Sequence, residues 1–269
     1  MRKLMLAVLV PMVLGSVMHS QEPVRPMPAD ASPKFDVATI RPSKPSEPGS
    51  QPQGFDLRGR HVLTMSTSVD DLISFAYGVN AKQIIDAPPF SNVDKFDIDG
   101  VPDVEGQPNQ EQMKMLFQRL LEDRFHLKFH HDQRELSVLA LTVAKGGPKL
   151  AMTIHAPTES VAFAFERQIL TVSNSTMREF CNGMQGSILD RPVVDQTELT
   201  GRYDFKLRWT PDESQFFRMG VRIPPLPDDP NAPPDLYTAI REQLGLKLEA
   251  TKAKADVIVI DRLEQPTQN

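Results

Sequence analysis

The sequence predicts an α+β fold of two tandem, duplicated small modules, each a small mixed sheet with two helices packed on one face. Three observations predict it. Leu121 to Thr142 matches Ile240 to Asp261 without a gap, at an offset of 119 residues. Phe125-His-Leu-Lys-Phe129 falls on Leu244-Gly-Leu-Lys-Leu248, and Val138-Leu-Ala-Leu141 falls on Val257-Ile-Val-Ile260. Spacing and apolar pattern repeat more than identity, because core periodicity is what a fold requires. Second, Ser68-Val-Asp-Asp-Leu72 and Thr176-Met-Arg-Glu-Phe180 each read as a capped helix start, a hydroxyl followed three residues later by a carboxylate. Third, Phe96-Asp-Ile98 and Tyr203-Asp-Phe205 each open a strand, and Phe35-Asp-Val37 is a further copy of the triplet.

Residues 1–20 read as a signal peptide. Arg2 and Lys3 precede an apolar run from Leu4 to Val17, too short to span a bilayer, that ends in small or polar residues. Residues 21–57 form a proline-rich tether with one strand, 35–40. The first module covers 58–149. His61 to Met65 is a strand. The helix begun at Ser68 carries Val69, Leu72, Ile73 and Ala76 on its apolar face and stops at Gly78. Ile84-Ile85 is a short apolar segment, and Phe96 starts the next strand. A helix over 111–124 sets Met113, Leu116, Phe117, Leu120 and Leu121 at helical spacing. Phe125 to Phe129 and Leu136 to Val143 read as a hairpin joined by the polar run from His130 to Glu135.

The second module covers 163–264, with a proline-rich insertion at 211–234. Ile169 to Val172 is its first strand, and the helix from Thr176 is weakened by Gly183 and Gly186. Val193-Val194 precedes a turn, and Tyr203 to Trp209 alternates as a strand. A helix from Asp235 to Leu244 leads into strands 246–250 and 256–261.

Without residues 1–20 the net charge is about −7, with no basic stripe, so nucleic acid is not an expected partner. No later segment is apolar enough to cross a membrane, so no stable span is expected after signal cleavage. The single Cys181 precludes an internal disulfide and reads as a small core residue.

The candidates for chemistry read as structural. His126 and His130, placed on one strand, would be about 13 Å apart, too far to share an ion. His131 faces away or sits in the turn. Asp97, Asp99, Asp195 and Asp204 could supply an acid–base pair, but Asp97 and Asp204 are equivalent positions and so share a structural role, capping a turn. No Gly-x-Ser-x-Gly, Gly-x-Gly-x-x-Gly or Walker sequence occurs. Tyr203, Phe205, Leu207 and Trp209 share one face, a core face. No catalytic residue, metal ligand or cofactor site is assigned, and the binding residues stay open.

Several phrases carry a resemblance: Phe35-Asp-Val-Ala-Thr-Ile-Arg-Pro-Ser43, Leu120-Leu-Glu-Asp-Arg-Phe-His-Leu-Lys128, Lys145-Gly-Gly-Pro-Lys-Leu150, Arg191-Pro-Val-Val-Asp195 and Leu199-Thr-Gly-Arg-Tyr-Asp-Phe205. From Phe35 to the C-terminus the chain resembles a large paralogous family of exported proteins expanded in soil Acidobacteria, known only as a domain of unknown function. Glu198 departs from the Gly that the family tends to carry there. The family brings no catalytic residues to carry over. Ser68-Val-Asp-Asp-Leu72 and Leu236 to Leu244 also resemble the short N-terminal domains of secretins and TonB-dependent receptors. That resemblance implies protein–protein recognition through a sheet edge.

The expected function is that of a secreted or periplasmic, non-enzymatic protein-interaction module whose partner is an envelope or secreted protein. The alternative is an envelope hydrolase or small-ligand-binding protein with its site in the groove between modules. Oligomeric state is left open.

Overall fold

The computed structural model describes residues 25–44, 54–156, 161–216, 223–224 and 229–266. The expected signal peptide, the parts of the expected tether at 21–24 and 45–53, and the parts of the proline-rich insertion at 217–222 and 225–228 lie outside the described residues. The first half contains β1 (Phe35–Pro42), β2 (Gly54–Arg58), β3 (His61–Ser68), α1 (Val69–Tyr77), β4 (Ile84–Ile85), the short α2 (Phe90–Val93), β5 (Lys95–Pro102), α3 (Gln110–Phe125) and β6 (Lys128–Val143). The second half contains β7 (Ala151–Met152), β8 (Ala162–Glu166), β9 (Ile169–Ser175), α4 (Met177–Gly183), β10 (Val193–Asp195), β11 (Tyr203–Arg208), α5 (Leu236–Ala239) and β12 (Leu246–Arg262). π-Helical turns, Met184–Ile188 and Ile240–Leu244, prolong α4 and α5.

Both expected capping boxes form. Ser68 Oγ accepts from Asp71 N at 3.1 Å while Asp71 Oδ2 accepts from Ser68 N at 3.1 Å. Thr176 and Glu179 repeat this at 3.2 and 2.8 Å. Each box satisfies two amides that a helix start leaves without intrahelical partners. Gly78 stops α1 in the left-handed conformation, at φ 68°.

The strands form three four-stranded sheets, ordered β1-β5-β3-β2, β10-β6-β12-β4 and β7-β11-β9-β8. The fold is therefore mixed α+β. The middle sheet belongs to both halves. β6 and β12 run antiparallel from Val143↔Leu246 to Phe129↔Ile260. β4 of the first half lies parallel to β12 of the second, and β10 of the second lies parallel to β6 of the first. The registers repeat. Ile84↔Ile258 and Ile85↔Val259 in one place correspond to Val193↔Leu139 and Val194↔Ala140 in the other. Each half thus lends strand residues to the other half's core. Ile258 and Ile260 pack with Leu72, Phe117 and Phe125, while Leu139 and Leu141 pack with Phe180, Leu207 and Trp209. Val138 to Leu141 and Val257 to Ile260 are accordingly buried at four consecutive positions, on both faces.

This corrects the expected hairpin of the first half and the expected break between strands 246–250 and 256–261 of the second. The run from His130 to Glu135 is not a turn but the middle of one 16-residue strand, and 251–255 is the middle of another of 17 residues. Neither run holds Gly, Pro or Asn to reverse the chain. Their polarity reflects a crossing between two cores where side chains reach water while the paired strands satisfy the backbone. His126 is likewise not on the strand. It ends α3 in the left-handed conformation at φ 53°, as Gly245 does at φ 65° after the turn prolonging α5.

Three further strands among the described residues were not anticipated. β2 occupies 54–58, where the tether was expected to end, β7 occupies 151–152 between the expected modules, and β8 occupies 162–166. Part of the segment read as a tether is also docked. Met27 is buried, and its amide donates to Gln107 O at 2.8 Å.

Candidate interaction surface

The two halves share a clamp at the start of each helix. Asp97 Oδ1 accepts from Ser66 N at 2.8 Å and from Ser43 Oγ at 2.6 Å. Asp204 accepts from Asn174 N at 2.7 Å and from Thr153 Oγ1 at 2.9 Å. Ser66 and Asn174 sit at φ 50° and 54°, and the strand register shifts at both places. Each Asp therefore braces a bulge that aims the chain into the next capped helix. The amide of Asn174, then Thr153, hold the Asp204 carboxyl below its ordinary range. The basic residue before each aromatic completes the clamp, Lys95 on Asp71 at 3.3 Å and Arg202 on Glu179 at 3.1 Å. Burial opposes ionisation of Glu179, but hydrogen bonds from Thr176 and Arg202 win and hold it low. Asp97 and Asp204 thus serve the fold.

The other candidates are placed as follows. Asp195 Oδ1 accepts from Thr197 N and Oγ1 at 3.0 and 2.7 Å, closing a turn. His130 meets Asp261 at 2.9 Å, and His126 meets Glu264 at 3.8 Å. His131 lies edge-on to Phe129. Among the described residues no group of His, Cys, Asp or Glu is arranged to hold a metal ion, and no helix is long and apolar enough to cross a membrane. Cys181 is buried, and burial, then the Asp195 charge, push its thiol up. Leu207 and Trp209 are fully buried, with Tyr203 and Phe205 packed against the same core.

What only one half carries is the better guide to function. The solvent face of the first sheet forms an open depression of about 270 Å³ lined by Thr39, Arg41, Arg58, Leu63, Met65 and Asp99. Asp99 Oδ1 meets His61 Nδ1 at 2.7 Å beside it. In register, the second half sets Ala151 where Arg41 stands, opposite Asp204 as Arg41 is opposite Asp97. Glu166 and Ile169 replace Arg58 and His61 at the corresponding hairpin pair. The join between halves is bridged, among the described residues, by buried polar contacts. Gln185 Nε2 donates to Gly78 O at 3.0 Å, its Oε1 accepts from Val193 N at 2.9 Å, and Gln83 Nε2 donates to Asp256 O at 2.7 Å. Asn80, Gln83 and Gln185 are all buried there.

The second half carries β8. All five of its residues are exposed, including Phe163 and Phe165, 38% and 43% accessible. Their rings face inward, Phe165 lying 5.0 Å from Trp209 and 4.8 Å from Phe216. The other edge strands are guarded or short. β1 holds Asp36, Arg41 and Pro42, and Arg124 Nη1 donates to its Ala38 carbonyl at 3.2 Å. β2 holds Asp56 and Arg58, while β4, β7 and β10 have two or three residues. Charge, proline and brevity are the usual protections of a strand edge. β8 has only Glu166, at its turn end. Sequence reasoning missed this strand, although the alternating Ala162-Phe-Ala-Phe165 run beside Arg167-Gln168 was a readable signal. It also missed His61, Arg41 and Arg58, which converge only through the sheet.

The chain belongs to a protein family of unknown function, DUF3738, whose profile matches residues 70–263. No curated protein and no solved structure matches it.

Proposed function

We propose that this member of the family is an exported, non-enzymatic interaction module that captures a partner through the free edge of β8. The reading rests above all on the one long-exposed, almost uncharged edge among the described strands. Strand addition to such an edge takes its affinity from backbone hydrogen bonds and its specificity from side chains on alternate positions. The likeness to the short N-terminal domains of secretins and TonB-dependent receptors supports the same mode. The leader-like residues 1–20 support export, and the expansion of the family in soil Acidobacteria is part of the same reading.

The test places a photo-activated crosslinking residue at Ala162 and, as a control, at Lys247 on the exposed face of β12. Irradiation of living cells is expected to give a discrete adduct only from position 162. A ladder of unrelated adducts, or none, would reject the edge as a recognition surface. The His61–Asp99 pair between Arg41 and Arg58 favours a second reading, a small-ligand site on the first sheet. It would show as amide shifts confined to β3 and β5 on adding a small carboxylate such as benzoate, abolished by R41Q.

A further inference from the structure

We infer that the partner strand of β8 is β8 of a second copy of this chain, an inference that rests on the edge reading above. The geometry starts from the turn. Glu166 and Ile169 flank a two-residue connection, Arg167 and Gln168, at φ 50° and 64°. In a hairpin of this kind the flanking residues form a hydrogen-bonded pair, and bonded and non-bonded pairs alternate from there. Ala162, Ala164 and Glu166 therefore spend their backbone groups on β9. Phe163 and Phe165 turn theirs outward, two amides and two carbonyls.

Antiparallel pairing about a twofold axis at Ala164 matches that set. Phe163 comes opposite Phe165 of the second copy, and each pair exchanges two hydrogen bonds, so all four outward groups are satisfied. Ala164 comes opposite its own counterpart as a non-bonded pair, where Cα atoms approach to about 4.5 Å and small side chains fit. Glu166 comes opposite Ala162, so no like charges meet. The phenylalanine rings of the two copies line one inner face, as an isologous contact requires.

The equivalent strand of the first half supplies the contrast. Asp56↔Leu63 in β2–β3 corresponds to Ala164↔Thr171 in β8–β9. Pairing β2 with itself would set Asp56 against Asp56 at the closest point, which like charges disfavour. One half blocks self-association at the residue where the other permits it.

The contact is small, so the expected dissociation constant is on the order of 10–100 μM. Sedimentation velocity of the full, processed chain from about 10 to 300 μM should show a concentration-dependent dimer. A164D and A164K, on an exposed outer face, should each weaken association about fivefold or more, and an equimolar mixture of the two should restore it. A monomer throughout the range, a dimer indifferent to A164D, or a mixture that stays monomeric would overturn the inference. Adducts at position 162 distinguish the two readings. An adduct to a different protein from a monomeric chain removes self-pairing and leaves the edge intact, whereas no adduct removes both.

Discussion

Replacing Gln185 by Leu tests whether the two halves are locked to each other by buried polar contacts. The side chain bridges Gly78 O, at the end of α1, and Val193 N, at the start of β10. Leucine fills nearly the same volume and makes neither bond. The buried Val193 amide is then left unsatisfied, at a cost of about 1–3 kcal/mol, and the part-buried Gly78 carbonyl adds about 0.5–1.5 kcal/mol. A loss of about 1.5–4.5 kcal/mol lowers Tm by roughly 3–18 °C for a chain of this size. Gln243 provides a matched control. Its side chain makes the same two kinds of bond, to Arg208 N at 2.9 Å and Arg208 O at 2.7 Å, at a site that water reaches. Gln243→Leu should therefore cost at most about 1 kcal/mol, since water replaces the lost partner. Urea unfolding followed by far-ultraviolet circular dichroism and by Trp209 fluorescence measures both. Trp209 is the only tryptophan and lies in the second core, so coincident transitions report that the interlocked cores unfold together. Equal losses for the two variants, or a Gln185 loss below about 1 kcal/mol, would refute the assignment of Gln185 as the lock.

Three other outcomes are expected. Glu179 is held below its ordinary value of 4.5, so it stabilises the fold above that pH and its contribution disappears as pH falls through the lowered value. The stability gap between wild type and Glu179→Gln, followed by urea midpoints from neutral to acid pH, should thus close on acidification. A side chain at Gly245 is strained at φ 65° and would collide with the Gly147 carbonyl, so Gly245→Ala should cost about 2 kcal/mol or more. His126→Gly at the equivalent position, at φ 53°, should be neutral or stabilising in the same assay. Cys181 should resist a thiol reagent such as dithionitrobenzoate until the chain is unfolded in urea, because burial disfavours its thiolate.

Local chemistry was legible because it is written in neighbouring residues. Ser68 with Asp71, Thr176 with Glu179 and the helical spacing of Leu116, Phe117, Leu120 and Leu121 each announce an element within a few positions. The structural role of Asp97 and Asp204 was legible for a different reason, since residues at equivalent points of both halves answer to what both halves need. Reading His130 to Glu135 as a turn failed because hydropathy marks exposure, and a strand crossing open solvent between two cores is exposed without turning. The His61–Asp99 contact joins residues on different strands, and nothing local to either residue signals it.

The sequence by itself determined that the chain is α+β, where its capped helices begin, and that its apolar pattern recurs at one offset. Those features follow from local hydrogen bonding and periodicity, which act over a few residues. Only the tertiary structure decided that β4 and β10 cross into the other half's sheet, that β6 and β12 are unbroken, and that, among the described strands, β8 presents the long exposed edge with the least charge. Strand partnership depends on which chain segments meet, and residues far apart in sequence supply both sides of every such contact.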